Sequence, residues 1–380
     1  MGAGLWLPLA AASAIATDPR AAARTREALA AAGSFAFTVN AFPLGGFHGA
    51  SVKAEVYRPT WGSPARREYT ELACRALAAL LPEGGRGSVS TVPVGYTAFA
   101  EAGVEEAAGA ALGSLAAALE RLEAETGRSI AIALEPEPLA VLETAAGAVD
   151  FFEAHVLRGP GPAAFAAAGG SAAGAEGALR RRVGVCVDTC HLACVFEDLP
   201  GALARLAAAG VSVVKAQLSS ALELAWPAHD PQGLARLRSF AEPRYLHQTV
   251  GRRPDGSRVS FADLPELTLR DGAPHPDLAG CERVRTHFHV PLCWEGDAPQ
   301  SGPGSPPEGA AGALGTTRPA LEAGLAALVA ATDHLEVETY TFDVLPAAER
   351  ARYGGDPVRM IAAELAWAEA ALRGVGAEPC

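Results

Sequence analysis

Lysine is almost missing from this sequence: Lys53 and Lys215 are the only two, and arginine supplies every other basic residue. Together with abundant alanine and glycine, that bias is the mark of a GC-rich coding sequence, so alanine-rich stretches carry less structural information than usual. Positive charge is scarce as a whole. Lys and Arg number 31 against 43 Asp and Glu, a formal net charge of −12. A nucleic-acid partner, which needs clustered positive charge, is therefore not expected.

No two of the seven cysteines stand at CxxC spacing, and the count is odd. Both facts argue against a disulfide framework or a thiolate zinc cage, and for free thiols in a reducing cytoplasm. Long apolar runs are also missing. The nearest approach, LWLPLAAASAIA at 5–16, contains Pro8 and follows no basic residue, so it reads as a buried strand leading into a helix. No strand ends in a glycine-rich phosphate fingerprint, which weighs against a dinucleotide-binding sheet.

What the chain does have is alternation. Short β-rich runs fall at 4–8, 35–40, 87–93, 129–135, 183–188, 211–219, 284–290 and 334–342. Helical patterns lie between them at 64–81, 104–125, 200–210 and 318–331, with a last one at 357–373. Strands alternating with helices over 380 residues, of which 49% are hydrophobic, predict an α/β fold, a (β/α)8 TIM barrel in one domain spanning 1–380. Two low-complexity stretches, 159–178 and 295–312, read as loop insertions because the alternation resumes after each.

In such a barrel the chemistry projects from the C-terminal ends of the strands. SIAIALEPEP ends in Glu135 and Glu137, a candidate pair that a solvated loop would explain equally. VGVCVDTCHLAC (183–194) ends its strand at Asp188, with His191 three residues on. Asp188 reads either as a helix N-cap or as a ligand. The alternation of VSVVKAQLSS puts Lys215 and Gln217 on one face, and burying them is costly unless they are paired or functional. THFHV sets His287 and His289 on one face, and LEVETYTF does the same for Glu336, Glu338 and Tyr340. Carboxylates, imidazoles and an amide oxygen together suit a divalent metal (Mn, Zn, Fe, Co or Mg) better than a thiolate site. The cysteines are expected to be bystanders.

Several motifs carry a resemblance. LEP at the fourth strand is similar to the metal-binding strand of ketose epimerases, DTCH to that of endonuclease-IV-type barrels, and VET to the final glutamate ligand of the xylose-isomerase-like superfamily. The runs NAFPLGGFHG (40–49), VYRPTWGSPARREYT (56–70), STVPVGY (90–96), VDTCH (187–191), QLSSALE (217–223), YLHQTVGRR (245–253), THFHVPL (286–292) and VETYTFDVLP (337–346) resemble the EboE family, the "metabolite traffic" barrels of the Ebo gene cluster. Members of that family often begin with a further strand bearing a Tyr-Cys-Thr-Asn-like run, which this sequence lacks.

The resemblance implies a metal set of Glu135, Asp188, Gln217 and Glu338, with His191, His247 and His289 as further ligands; relatives often carry histidine where Gln217 stands. It implies Glu135 and Glu338 as proton-transfer residues, with Glu137 and Glu336 one position off. Lys215 has a second reading as a Schiff-base nucleophile, since burial lowers a lysine pKa. Asn40, His48, Tyr57, Trp61, Tyr96, Gln248, Arg252 and His287 are candidate substrate contacts, packing being the competing role for the aromatic ones. The activity implied is an isomerase or epimerase reaction on a small hydroxylated metabolite of secondary metabolism. Alternatives are a metal-dependent phosphoesterase or a non-catalytic hand-off protein. Its expected partners are Ebo-cluster proteins, including a UbiA-like membrane prenyltransferase homologue.

Overall fold

The β-rich runs are short, bounded by turns and rich in β-branched or small apolar residues, and they form strands close to where the alternation puts them. The computed structural model describes residues 1–46, 53–226, 231–297, 313–338 and 340–378. In chain order its strands are β1 (Gly2–Trp6), β2 (Phe35–Ala41), β3 (Arg86–Thr91), β4 (Ser129–Leu134), β5 (Val183–Asp188) and β6 (Val213–Leu218). There follow β7 (Leu222–Ala225), β8 (Thr249–Arg252), β9 (Arg258–Phe261), β10 (Arg283–Thr286), β11 (Gly315–Thr316) and β12 (Leu335–Val337).

One parallel sheet runs β1-β2-β3-β4-β5-β6-β12, in chain order, with helices in the crossovers. This is an α/β TIM-barrel fold. Its two edge strands also approach each other. A Cβ placed on Gly4 of β1 would fall 1.5 Å from Oε1 of Glu336 on β12, so only glycine leaves that carboxylate room. Trp6 and Tyr340 meet edge to face above it, ring centroids 6.2 Å apart.

The run at 284–290 departs from the expectation. Its strand, β10, pairs antiparallel with β7 and β8 in a second sheet ordered β11-β7-β10-β8-β9. The barrel wall therefore counts seven parallel strands among the described residues. A period of two is common to strands of either sheet, so alternation alone does not say which sheet a strand joins. The second sheet has an apolar cluster of its own, around Phe240, Val284, Phe288 and Trp294. His287 and His289 follow β10 directly and are carried by this insert to the mouth of the barrel.

The stretch 159–178 is another correction. Much of it is helical, within Pro160–Ala167 and Ala175–Arg182. A Cβ on Gly113 would lie 2.2 Å from the carbonyl oxygen of Gly161. The helices Val104–Thr126 and Pro160–Ala167 thus touch backbone to backbone, which small residues allow. Most of the second expected insertion, 298–312, lies outside the described residues. Among the described residues, no helix is long and apolar enough to cross a membrane.

Candidate functional site

Every residue of β5 is buried, and the strand ends in a carboxylate whose two oxygens have different surroundings. Oδ1 of Asp188 accepts the backbone N–H of His191 at 2.9 Å and the hydroxyl of Ser219 at 2.8 Å, capping the helix Thr189–Cys194. Oδ2 is buried without a hydrogen-bond partner. An ionised oxygen left in that state is costly unless a cation meets it. Helix capping and ligation are therefore compatible in one side chain.

His191 folds back over the strand ends. Its Nδ1 donates to the carbonyl of Pro136 at 3.2 Å, and its Nε2 lies 3.0 Å from Nε2 of His287. Nε2 of His289 is 3.1 Å from that of His287 and 3.4 Å from that of His191. Nδ1 of His287 donates to Oε1 of Gln248 at 2.7 Å. The Gln248 amide is turned that way because its Nε2 donates to the Tyr57 hydroxyl (2.9 Å) and to Glu137 (3.3 Å). With the proton on Nδ1 in both rings, the Nε2 lone pairs of His191 and His287 face one centre. Burial, and then the neighbouring His191, push the His287 pKa well below the usual range. Burial likewise takes that of His289 down to about 4, although Asp188 opposes it.

Three nitrogens 3.0–3.4 Å apart match the separation of about 3.3 Å that a tetrahedral ion with bonds of about 2.0–2.1 Å imposes on its ligands. The donors extend beyond this triangle. Ligand atoms lie within 4.8 Å of one another in each of four overlapping groups: Glu135 with Asp188 and Glu338, Asp188 with His191 and His289, Glu137 with His191 and His287, and Cys190 with His287 and His289. Oε2 of Glu135 and of Glu137 are buried without hydrogen-bond partners. Nδ1 of His289 is 3.1 Å from Oε2 of Glu338, without hydrogen-bond geometry. The residues present fit a divalent metal.

The carboxyls differ in acidity. Burial first, and the Asp188 charge second, push Glu135 and Glu338 well above the ordinary carboxyl range. Asp188 is equally buried, yet His191, His289 and the His191 N–H hold it below that range. A small cavity opens beside this set. Its lining includes Glu135, Glu137, His191, His287 and Glu338, with aromatic walls from Trp6, Phe42, Tyr57, Tyr245 and Tyr340.

The structure brings together Glu135, Asp188, His191, His289 and Glu338, and adds His287, which was expected to touch substrate. Other expectations are corrected. His247 is committed elsewhere: Nε2 is 2.9 Å from Glu242 and Nδ1 is 2.9 Å from the His287 carbonyl. Gln217 donates to Glu338 at 3.1 Å and its oxygen takes the Cys186 thiol, so it steadies a carboxylate and turns no oxygen to the cluster. Lys215 is fully buried, 2.6 Å from both Glu336 and Asn40. Burial opposes its charge, but Glu336 and its other neighbours raise the pKa, the reverse of what a Schiff-base lysine needs. Asn40 bonds Glu336, Lys215 and Ser90 inside the barrel and does not line the cavity. Trp61 is buried in the core. Tyr96 stacks on Tyr57 at 4.9 Å behind the cavity wall, and Arg252 pairs with Glu282 in the second sheet. Gln248 orients His287. His48 lies outside the described residues. Sequence reasoning missed Trp6, Phe42 and Tyr245; for Trp6, the signal was an aromatic residue at the end of the first strand.

No protein-family model matches the sequence, and no curated protein is similar to it. Among solved structures, the chain is similar to the apo form of 3-keto-D-glucoside 4-epimerase, YcjR, from E. coli, at 15% identity and a TM-score of 0.33. That likeness covers 55% of this chain and 66% of the epimerase, less than two thirds of its length. It is similar to a xylose isomerase domain protein from Planctomyces limnophilus at 13% identity and a TM-score of 0.35, over 57% of this chain and 73% of the other. It is also similar to an AP endonuclease, family 2, from Brucella melitensis at 15% identity and a TM-score of 0.35, over 57% and 68%. Likeness at this level carries no argument about activity, and the fold rests on the strand order of this chain.

Proposed function

We propose that this chain is a divalent-metal-dependent isomerase or epimerase that moves a proton on a small hydroxylated carbonyl metabolite. The observation that carries the reading is the placement of Glu135 and Glu338 on the cavity with ligand atoms within 4.8 Å of Asp188, the first two pushed up and the third held down. Carboxyls whose surroundings drive their acidities apart are how one site divides acid, base and ligand roles. When bound, a divalent ion polarises adjacent substrate oxygens and so acidifies the neighbouring C–H.

Asp188 and the imidazoles hold the ion in this reading. Glu135 and Glu338, their proton affinities raised by burial and by the Asp188 charge, take and return the substrate proton. Tyr57 and Tyr340 flank them on the cavity wall, and Trp6 and Phe42 keep water away. The resemblance of its motifs to the EboE family is the support for a substrate from secondary metabolism, handled in the cytoplasm alongside Ebo-cluster proteins and a UbiA-like prenyltransferase homologue.

Elemental analysis of the purified protein, with deuterium uptake from D2O into a panel of hydroxy-ketones, tests the proposal. A bound divalent metal and exchange abolished in Glu135→Gln and Glu338→Gln are expected. Protein that holds no metal and cannot be loaded with one overturns it. Metal held without exchange in any hydroxy-ketone favours the hand-off role instead.

A further inference from the structure

Cys190 stands between the two residues that give the DTCH run its chemistry, and it is fully buried. Its backbone N–H donates to Oγ of Ser219 at 2.9 Å, and that hydroxyl donates to Oδ1 of Asp188 at 2.8 Å. The Cys190 backbone and the Asp188 carboxylate therefore share one anchor. The Cys190 Sγ and one nitrogen each of His287 and His289 all lie within 4.8 Å of one another. The two rings bring their Nε2 atoms to 3.1 Å, and the remaining nitrogen of His289, Nδ1, is buried without a hydrogen-bond partner. Two imidazoles, one of them incompletely bonded, thus face a buried sulfur.

The other sulfurs nearby are placed differently. Cys186 is engaged by Oε1 of Gln217 at 3.4 Å. Cys194 packs with Cys190 and Ala221 in a small buried cluster. Neither Cys186 nor Cys194 belongs to a ligand-capable group among the described residues.

We propose that Sγ of Cys190 is a ligand of the metal held by His287 and His289, so that the centre selects zinc- or cobalt-like ions over magnesium. This rests on the metal-dependent reading of the site. A zinc–sulfur bond of about 2.3 Å beside zinc–nitrogen bonds of about 2.0–2.1 Å sets sulfur and nitrogen about 3.5 Å apart. From separations of at most 4.8 Å, the thiol has about an ångström to close. The metal–sulfur bond replaces the S–H bond, and the proton leaves to solvent. Thiolate and imidazole donors favour zinc and its neighbours, whereas magnesium requires oxygen.

Cobalt(II) loading of the full chain tests this optically. The cobalt protein should show a near-ultraviolet thiolate-to-cobalt charge-transfer band, lost in Cys190→Ser and kept in Cys186→Ser and Cys194→Ser. Cobalt bound without that band, or a band that survives in Cys190→Ser, overturns the proposal while leaving the metal-dependent reading intact. Uptake of magnesium or manganese but of neither cobalt nor zinc overturns the proposal alone, and failure to take up any divalent metal overturns both. Should Cys190→Ser not fold, X-ray absorption of the zinc-loaded wild-type protein decides. A sulfur scatterer at about 2.3 Å is expected, and a shell of nitrogen and oxygen alone refutes the assignment.

Discussion

Nε2 of His191 and Nε2 of His287 face each other at 3.0 Å, and in the neutral rings neither brings a proton to the contact. Each ring spends its N–H on the far side: His191 on the Pro136 carbonyl, which only accepts, and His287 on the Gln248 side-chain oxygen. Two lone pairs at that distance repel unless something positive lies between them. The arrangement is built from the outside in, by groups that do not themselves reach the centre.

Gln248 is the buried side chain that fixes the His287 ring. Gln248→Leu removes the acceptor for the His287 N–H and frees the ring to turn or change tautomer. Losing such a partner typically costs about 10–100-fold in metal affinity. Chelator competition on the variant should show a loss of that size with the fold retained. Unchanged affinity would mean that His287 is not a ligand.

Lys215 and Glu336 form a buried pair at 2.6 Å. Lys215→Met leaves the Glu336 carboxylate without its cation, and breaking such a pair costs about 3–5 kcal/mol. Despite burial, Glu336 and other neighbours raise the lysine pKa. Its contribution is therefore complete below the unfolded value of about 10.4 and is lost as pH rises through the higher folded value. Denaturant melts should show a constant gap between wild type and variant from pH 7 to about 10, narrowing above. Borohydride added with a carbonyl compound at neutral pH should trap nothing at Lys215.

How much of this the sequence disclosed varies with the residue. Alternation put Lys215 and Gln217 inside the barrel, and the strand 183–188 forms as read. It also put Glu336 and Glu338 on one face, which is why spacing could not choose between them. Three-dimensional neighbours choose: Glu336 meets Lys215 and Asn40, and Glu338 lines the cavity. His287 was the harder case. It reaches the mouth only because an antiparallel sheet is inserted before the last barrel strand, and no local pattern announces that a strand has left the barrel. His247 misled for a different reason: the resemblance offered it as a ligand, but its imidazole is bonded to Glu242.

Gly4 marks where β1 meets β12. Gly4→Ala forces the Glu336 carboxylate aside, since the new methyl would fall 1.5 Å from its oxygen. Overpacking of this kind costs about 1–3 kcal/mol. Thermal melts should show the loss, and pairing the change with Glu336→Ala should relieve the clash while leaving Lys215 unpaired. A neutral Gly4→Ala would mean that the barrel edges are not held together there.

Asp188 separates the cap from the ligand most directly. Asparagine caps helices as well as aspartate does, so Asp188→Asn can keep the bonds from the His191 N–H and Ser219 to its carbonyl oxygen. Stability of the metal-free protein should change by less than about 1 kcal/mol. The unpartnered Oδ2, however, becomes an amide nitrogen with no lone pair to offer, and metal affinity should collapse. The charge matters separately. After burial, Asp188 is the largest influence raising Glu135 and Glu338, so its removal makes both easier to ionise. Any activity left at saturating metal should then keep its acid limb to a lower pH than wild type. A variant that binds metal normally, or whose acid limb moves up instead of down, would return Asp188 to the role of a helix cap.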